Sequence, residues 1–236
     1  MSDVPEARPS STVVLLRDAN SGLETLLLKR NKALFFAGGL WVFPGGALDP
    51  EDFDGVGDDV VAASRIAAAR EAQEESGLLP HLEDMVLLSH WITPVVEPKR
   101  FSTWIYAAPL AADDEVVIDG GEIHDSRWIG VRDAIAEHEV GELAMLPPTY
   151  ITLRGLVGYD TVAQMVAVER DSPVPEVLPV VGDDKGRRAV MFRGDAGYDS
   201  ADASTEGARH RAILNGKHWE YVYRDVPADI PSLISL

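Results

Sequence analysis

The sequence contains no cysteine. That excludes a disulfide framework and any thiolate metal site. No apolar run approaches the roughly 18 residues that span a bilayer. The opening MSDVPEARPSS has neither the basic start nor the apolar stretch of a signal peptide. Together these absences predict a cytoplasmic protein with no membrane partner. Positive charge is also scarce: 21 Lys and Arg stand against 39 Asp and Glu, a formal net charge of −18. General nucleic-acid binders draw their affinity from a Lys/Arg surface, so nucleic acid is not an expected partner. Such a field also repels an anionic substrate, unless a divalent cation held by some of the same carboxylates neutralises it locally. His81, His90, His124, His138, His210 and His218 show no paired zinc-ligand spacing. There is no Gly-x-Ser-x-Gly elbow and no internal repeat.

What is present is an ordinary globular balance, 46% hydrophobic and 25% charged over 236 residues. That length suits one large domain or one domain with an elaborated tail. STVVLLRD and LETLLLKR, separated by ANSG, predict a strand pair. The Pro-Gly-Gly of WVFPGGALDP predicts a loop, and EDFDGVGDD a surface insertion. Asp52, Asp54 and Gly55 only superficially resemble a calcium loop, because the remaining ligands are missing at that spacing. The alanine-rich stretch from Val60 to about Ser76 predicts a helix stopped by Gly77. MVLLSHWITP, RFSTWIYAAP and EIHDSRWIG read as strands, while VRDAIAEHE and PPTYITLRGLVGYDTVAQMVAVER read as helical. VPEVLPVV, RRAVMFRG and HWEYVYRD read as short strands in the tail. Trp41, Trp91, Trp104, Trp128 and Trp219 are mostly strand-borne and predict core packing. This order fits a sheet covered by helices on both faces.

Glu71, Glu74 and Glu75 crowd one helix at i, i+3 and i+4 spacing, which puts them on one face. Such a patch is either a solvated acidic face or a set of hard oxygen ligands suited to magnesium or manganese.

FPGGALDPED followed by REAQEESGL resembles the box of the Nudix hydrolases, G-x5-E-x7-R-E-U-x-E-E-x-G-U with U apolar. Arg70, Glu71, Ala72, Glu74, Glu75, Gly77 and Leu78 match its second half. The first half departs from it. The early glutamate slot falls on Asp52 counted from Gly46, or on Glu51 counted from Gly45. Seventeen residues separate Asp52 from Arg70, so an insertion of about ten residues sits ahead of the helix. The resemblance runs from about Ser11 to Gly130. It implies an α/β/α sandwich with a mixed sheet over residues 1–146, and a C-terminal helical and short-strand extension, 147–236, packed on the same domain. It also implies hydrolysis of a diphosphate linked to another group, with Mg2+ or Mn2+ as cofactor and a small-molecule diphosphate as partner. Glu71, Glu74 and Glu75 would be metal ligands together with the Gly45 carbonyl. Glu71, Glu74 and Arg70 would belong to the catalytic set, with Arg70 orienting a glutamate. Glu122 is the candidate general base, and Glu115 the second choice.

LLLKRNKALFFAGGLWVFPGG and HWITPVVEPKRFSTWIYAAPL resemble the coenzyme A diphosphatases of the family, in particular the peroxisomal-type branch with its own insertion in the box. Arg30 and Gly39 match that branch, as do Trp91, Pro94, Arg100 and Phe101. Phe35 stands where the bacterial-type motif has arginine, and Asn31 replaces a small residue. Arg30, Lys99 and Arg100 are the candidate phosphate contacts. Pro94, sixteen residues after Leu78, is a spacing associated with ADP-ribose-type members, so ADP-ribose and nucleotide sugars stay open as substrates. The serine-glutamine-proline-tryptophan marker of NADH diphosphatases is absent. A nucleotide-binding regulator of the same fold is the non-enzyme alternative. TYITLRGLVGYDTVAQMVAV and HWEYVYRD are too apolar for a disordered tail. Their burial either uses the chain's own core or makes a homodimer, and a dimer through the helices from Pro147 to Arg170 is the expectation.

Overall fold

Valine and leucine runs without alternation need cover on both faces, and the first two strands receive it. In the computed structural model, which describes residues 4–20, 22–33, 37–111, 115–118 and 120–234, β1 (Arg8–Ala19) pairs antiparallel with β2 (Gly22–Arg30). Val13, Leu15, Leu26 and Leu28 face one side, and Val14, Leu16, Leu23 and Leu27 the other. Phe35 lies outside the described residues.

The chain continues through β3 (Trp41–Val42), β4 (Gly45–Ala47), a 3-10 helix at Pro50–Phe53 and α1 (Val60–Ser76). Then come β5 (Val86–Ile92), β6 (Phe101–Pro109), β7 (Ile123–Gly130) and α2 (Val131–Glu139). The sheet order is β3-β2-β1-β6-β5, with β7 on β2 and β4 on β1. β1 runs parallel to β6 and antiparallel to β2, so the sheet is mixed. α1 covers one face, and the later helices and a second sheet cover the other.

α1 begins where Asp59 accepts the N–H groups of Val61 and Ala62, and it ends at Gly77, whose φ is +74°. Its buried face is Ala63, Ser64, Ala67, Ala68 and Ala72. Small side chains there let the helix lie close to β1 and β4.

Three expectations are corrected. The Pro-Gly-Gly segment is not only loop, because Gly45–Ala47 pairs with β1 at Thr12, Ser11 and Ser10. A Cβ on Gly45 would collide with the Ser11 carbonyl, so glycine is what lets this strand approach. The long helical run after Pro147 is two helices, α3 (Pro147–Leu156) and α4 (Val162–Glu169). Thr161 breaks it by turning extended, at φ −139°, to cap Gln164 N–H. Finally, EDFDGVGDD is not wholly surface, since Asp52 is 1% exposed.

Beyond α4, β8 (Glu176–Val177) adds to β5 in parallel. β9 (Val180–Asp184), β10 (Arg187–Met191), β11 (Arg209–Asn215) and β12 (His218–Arg224) form a second, antiparallel sheet in the order β12-β11-β10-β9. β11 was not anticipated, although Asn215-Gly216 between two apolar runs is a hairpin signal. Tyr150, Ile151, Leu153, Leu156, Met165, Phe192, Ala212 and Trp219 share one core with Val14, Leu16 and Leu27. The apolar surface that prompted the dimer expectation is therefore largely covered within one chain. Trp41, Trp91, Trp104 and Trp219 are buried as expected, while Trp128 is only partly so. Among the described residues no helix is long and apolar enough to cross a membrane.

Candidate active site

The acidic face of α1 meets β4 across two glycines. Pro44 is held at its carbonyl by Thr12 Oγ1 (2.5 Å) and Val13 N–H (3.0 Å), which presents Gly45 and Gly46 to the helix. Gly45 N–H donates to Glu75 Oε2 at 3.0 Å. The Glu71 carboxylate lies so close to Gly46 that any Cβ there would overlap it. Glu71 and Glu75 are thus packed between helix and strand, with side chains 15% and 9% exposed. The contact that Gly45 makes with Glu75 is through its N–H, not through the carbonyl expected to be a ligand.

Burial is costly for two neighbouring carboxylates. Glu75 is pushed up to about 8, first by desolvation and then by the charges of Glu71 and Glu122, against the opposing Gly45 N–H and Arg30. Glu71 is also raised by burial, and Arg70 partly offsets this.

Arg70 is held by carboxylates throughout its fork. Nε and Nη2 pair with both Asp52 oxygens at 3.0 and 2.9 Å, and Nη1 meets Glu71 at 3.0 Å and Glu74 at 3.2 Å. Nη2 also donates to Ala47 O. Asp52 is buried, yet the Arg70 bonds and Asp49 N–H outweigh desolvation and hold its carboxyl below the usual range. Asp52, one of the two positions offered for the early acidic slot, is therefore the one that meets Arg70.

Glu74 is 58% exposed and meets Arg70 Nη1 at 3.2 Å, the same nitrogen that holds Glu71. Among the described residues no three His, Asp or Glu side chains form a ready cation cage. Of the three glutamates expected on this face, Glu75 is buried, Glu71 half-buried and Glu74 exposed, and Arg70 Nη1 joins Glu71 to Glu74.

From the other side, Arg30 reaches in from the end of β2. Its Nη2 donates to Glu122 Oε2 at 2.9 Å, and Nη1 lies 3.8 Å from Glu75 Oε1. The structure thus brings Arg30, Glu75 and Glu122 together, although sequence reasoning assigned Arg30 to phosphate alone. Arg100 is placed otherwise: it donates to the carbonyls of Thr93 (3.1 Å) and Pro5 (2.7 Å), tying the N-terminal segment to the β5–β6 connection. The Lys99 ammonium lies over the Phe101 ring. Glu115 is exposed. Around α1, Asp49, Asp52, Glu71, Glu74, Glu75 and Glu122 face two guanidinium groups, Arg30 and Arg70. A donor set of hard oxygens with surplus negative charge, two of its members buried, fits a divalent cation.

In this structure a mixed sheet carries a helix whose carboxylates meet a Gly-Gly strand. The family model for the NUDIX domain matches residues 7–147, and the chain belongs to that family. It is 29% identical over 168 residues to "Putative nudix hydrolase 7" of Caenorhabditis elegans. That alignment covers 56% of this chain and 55% of the relative, about half of its length. In fold it is similar to the crystal structure of a NUDIX hydrolase from Alicyclobacillus acidocaldarius, with a TM-score of 0.63 and 24% identity. That match covers 71% of this chain and 99% of the other.

Proposed function

We propose that the chain is a divalent-cation-dependent hydrolase of a diphosphate linkage in a nucleoside diphosphate derivative. The observation that carries this reading is the pair of half-buried Glu71 and buried Glu75 pressed on Gly45 and Gly46. Glu71 and Glu75 would hold Mg2+ or Mn2+, with Glu74 completing the set from the rim. When bound, the cation supplies Lewis-acid polarisation of a phosphoryl oxygen and lowers the pKa of water. Arg70, locked by Asp52, fixes the rotamer of Glu71 and does not touch substrate. Glu122, exposed on its rim, takes the proton from the attacking water. Arg30 keeps donor capacity for a phosphoryl oxygen, since its Nε is buried without an acceptor. Arg100 contributes less, its donors being engaged by backbone carbonyls.

Among substrates, the residues around Arg30 favour coenzyme A or an acyl derivative, with ADP-ribose or a nucleotide sugar second. A cytoplasmic homodimer belongs to the same reading, and light scattering after gel filtration measures its mass. A screen of coenzyme A, ADP-ribose, NADH and nucleotide sugars with magnesium tests the activity, read as phosphate released after phosphatase coupling. Glu75→Gln should lose at least about a hundredfold in rate, or 2.7 kcal/mol in barrier. Turnover that survives both this change and EDTA refutes the assignment. Tight nucleotide binding without turnover would favour the regulator.

A further inference from the structure

Arg30 stands between two carboxylates to which the proposed function gives different duties. Glu75 is buried and Glu122 is 59% exposed, yet the arginine makes its shorter contact, 2.9 against 3.8 Å, with Glu122. The β2–β7 register lets it do so. The pairing steps from Lys29–Asp125 to Arg30–Ile123 and skips His124. Such a bulge re-aims the chain: Ile123 is fully buried on the α1 face, and Glu122 lands beside Arg30. Asn31 N–H then fixes the Glu122 carbonyl at 2.8 Å. Among the described residues, the charges meeting this guanidinium are Glu75 from α1 and Glu122 just ahead of β7, while Gly45 N–H is the competing donor on Glu75 and Glu71 the neighbouring charge on it.

A guanidinium and a divalent cation on one carboxylate repel each other strongly in partly buried surroundings. We propose that Arg30 is an internal competitor of the divalent cation for Glu75, and that Glu122 sets the strength of that competition by drawing the guanidinium aside. This rests on the reading of Glu71 and Glu75 as the cation's holders. It makes Arg30 a positioning residue: drawn off Glu75, it retains Nη1 and the unpartnered Nε as donors for a phosphoryl oxygen. Cation binding and phosphate binding are thereby coupled through one side chain.

The test is Mn2+ binding to the full chain by calorimetry, without substrate. Arg30→Gln should tighten Mn2+ by about tenfold, against the usual expectation for a residue lost from a binding site. Glu122→Gln should weaken it, because Arg30 then settles on Glu75. The double variant should bind like Arg30→Gln within about twofold, since Glu122 acts through Arg30, whereas simple through-space charge effects would add. Unchanged or weaker binding in Arg30→Gln, or additivity in the double variant, overturns the proposal. Glu122 is exposed, so Glu122→Gln tolerates folding even where Arg30→Gln does not, and undiminished Mn2+ affinity there overturns it alone. Glu75→Gln separates the two levels of inference. Binding that survives it overturns the proposed function itself, whereas binding lost there without tightening in Arg30→Gln overturns only the competition.

Discussion

Two arginine–aspartate forks in this molecule have the same geometry and opposite surroundings. Arg211 and Asp195, in the C-terminal sheet region, are 1% and 0% exposed in their side chains. Arg211 Nε and Nη2 meet the two Asp195 oxygens at 2.7 and 2.6 Å, and Nη1 donates to Ala203 O. Asp195 also accepts from Gly197 and His210 N–H. One charge faces one charge, and the remaining hydrogen-bonding capacity goes to backbone. Arg70 and Asp52 form the same fork, but Glu71, Glu74 and Asp49 crowd the same guanidinium. A balanced buried pair holds a fold together, whereas an unbalanced one leaves negative charge that calls for a cation. The family's box lies in the unbalanced region.

Breaking the balanced pair should have the largest effect on stability. Arg211→Met leaves Asp195 buried and unpaired, a loss of about 3–5 kcal/mol. Urea unfolding should show this, and the surviving folded fraction should turn over substrate at an unaltered rate per site.

The comparison sharpens with pH, because the two regions respond in opposite senses. Glu75 has a folded pKa near 8, raised by burial above its unfolded value, so its stabilising contribution is present at low pH and lost as pH rises through 8. Glu75→Gln keeps an acceptor for Gly45 N–H and should stabilise the cation-free chain at pH 8 by roughly 2–4 kcal/mol. That gain should fade as pH falls toward about 4.5. On the other side, His138 donates from Nδ1 to Leu143 O and accepts Trp219 N–H at Nε2, which requires the neutral ring. Burial lowers its folded pKa, as it does for His210. The unfolded chain then binds more protons below about pH 6.5, and the C-terminal region should lose stability as pH drops through that value. Melts of wild type and Glu75→Gln from pH 5 to 8 check both signs.

Asp52→Asn tests the unbalanced fork directly. It keeps the shape but removes the charge that anchors Arg70, and activity should fall about tenfold, or 1.4 kcal/mol in barrier, with folding nearly intact. The smallest effect belongs to the rest of the segment between Asp52 and α1. A Cβ added at Gly55 or Gly57 would meet nothing within 4 Å, so trimming Asp54–Asp58 while keeping Asp52 and the Asp59 cap should leave rates within about threefold. A loss of orders of magnitude there would give the loop a role in the site.

How much of this was legible beforehand follows the range of the interaction. α1 was readable to the residue, because its start, its stop and the spacing of Glu71 and Glu75 are all local features of one helix. β1, β2, β5, β6 and β7 of the first sheet were readable from their apolar runs, whereas the short β4 was read as loop. The box pattern marked Arg70, but two adjacent glycines allowed two counts to the early acidic slot, and it is Asp52 that meets Arg70. The helical run from Pro147 was read without its break because apolar content hid the cap at Thr161, and β11 was missed because its charged start, Arg209-His210-Arg211, masks a strand buried from His210 to Ile213.

By itself, then, the sequence determined the family's box, the helix that carries it and the surplus of negative charge, since these depend on residue types and short spacings. Tertiary structure alone decided which charges meet. Arg30 and Glu122 are 92 residues apart, and Arg70 and Asp52 are 18 apart. Whether an arginine holds a carboxylate, a phosphate or a backbone carbonyl depends on which strand end delivers it, at ångström precision, to a site whose burial sets the strength of every charge within it.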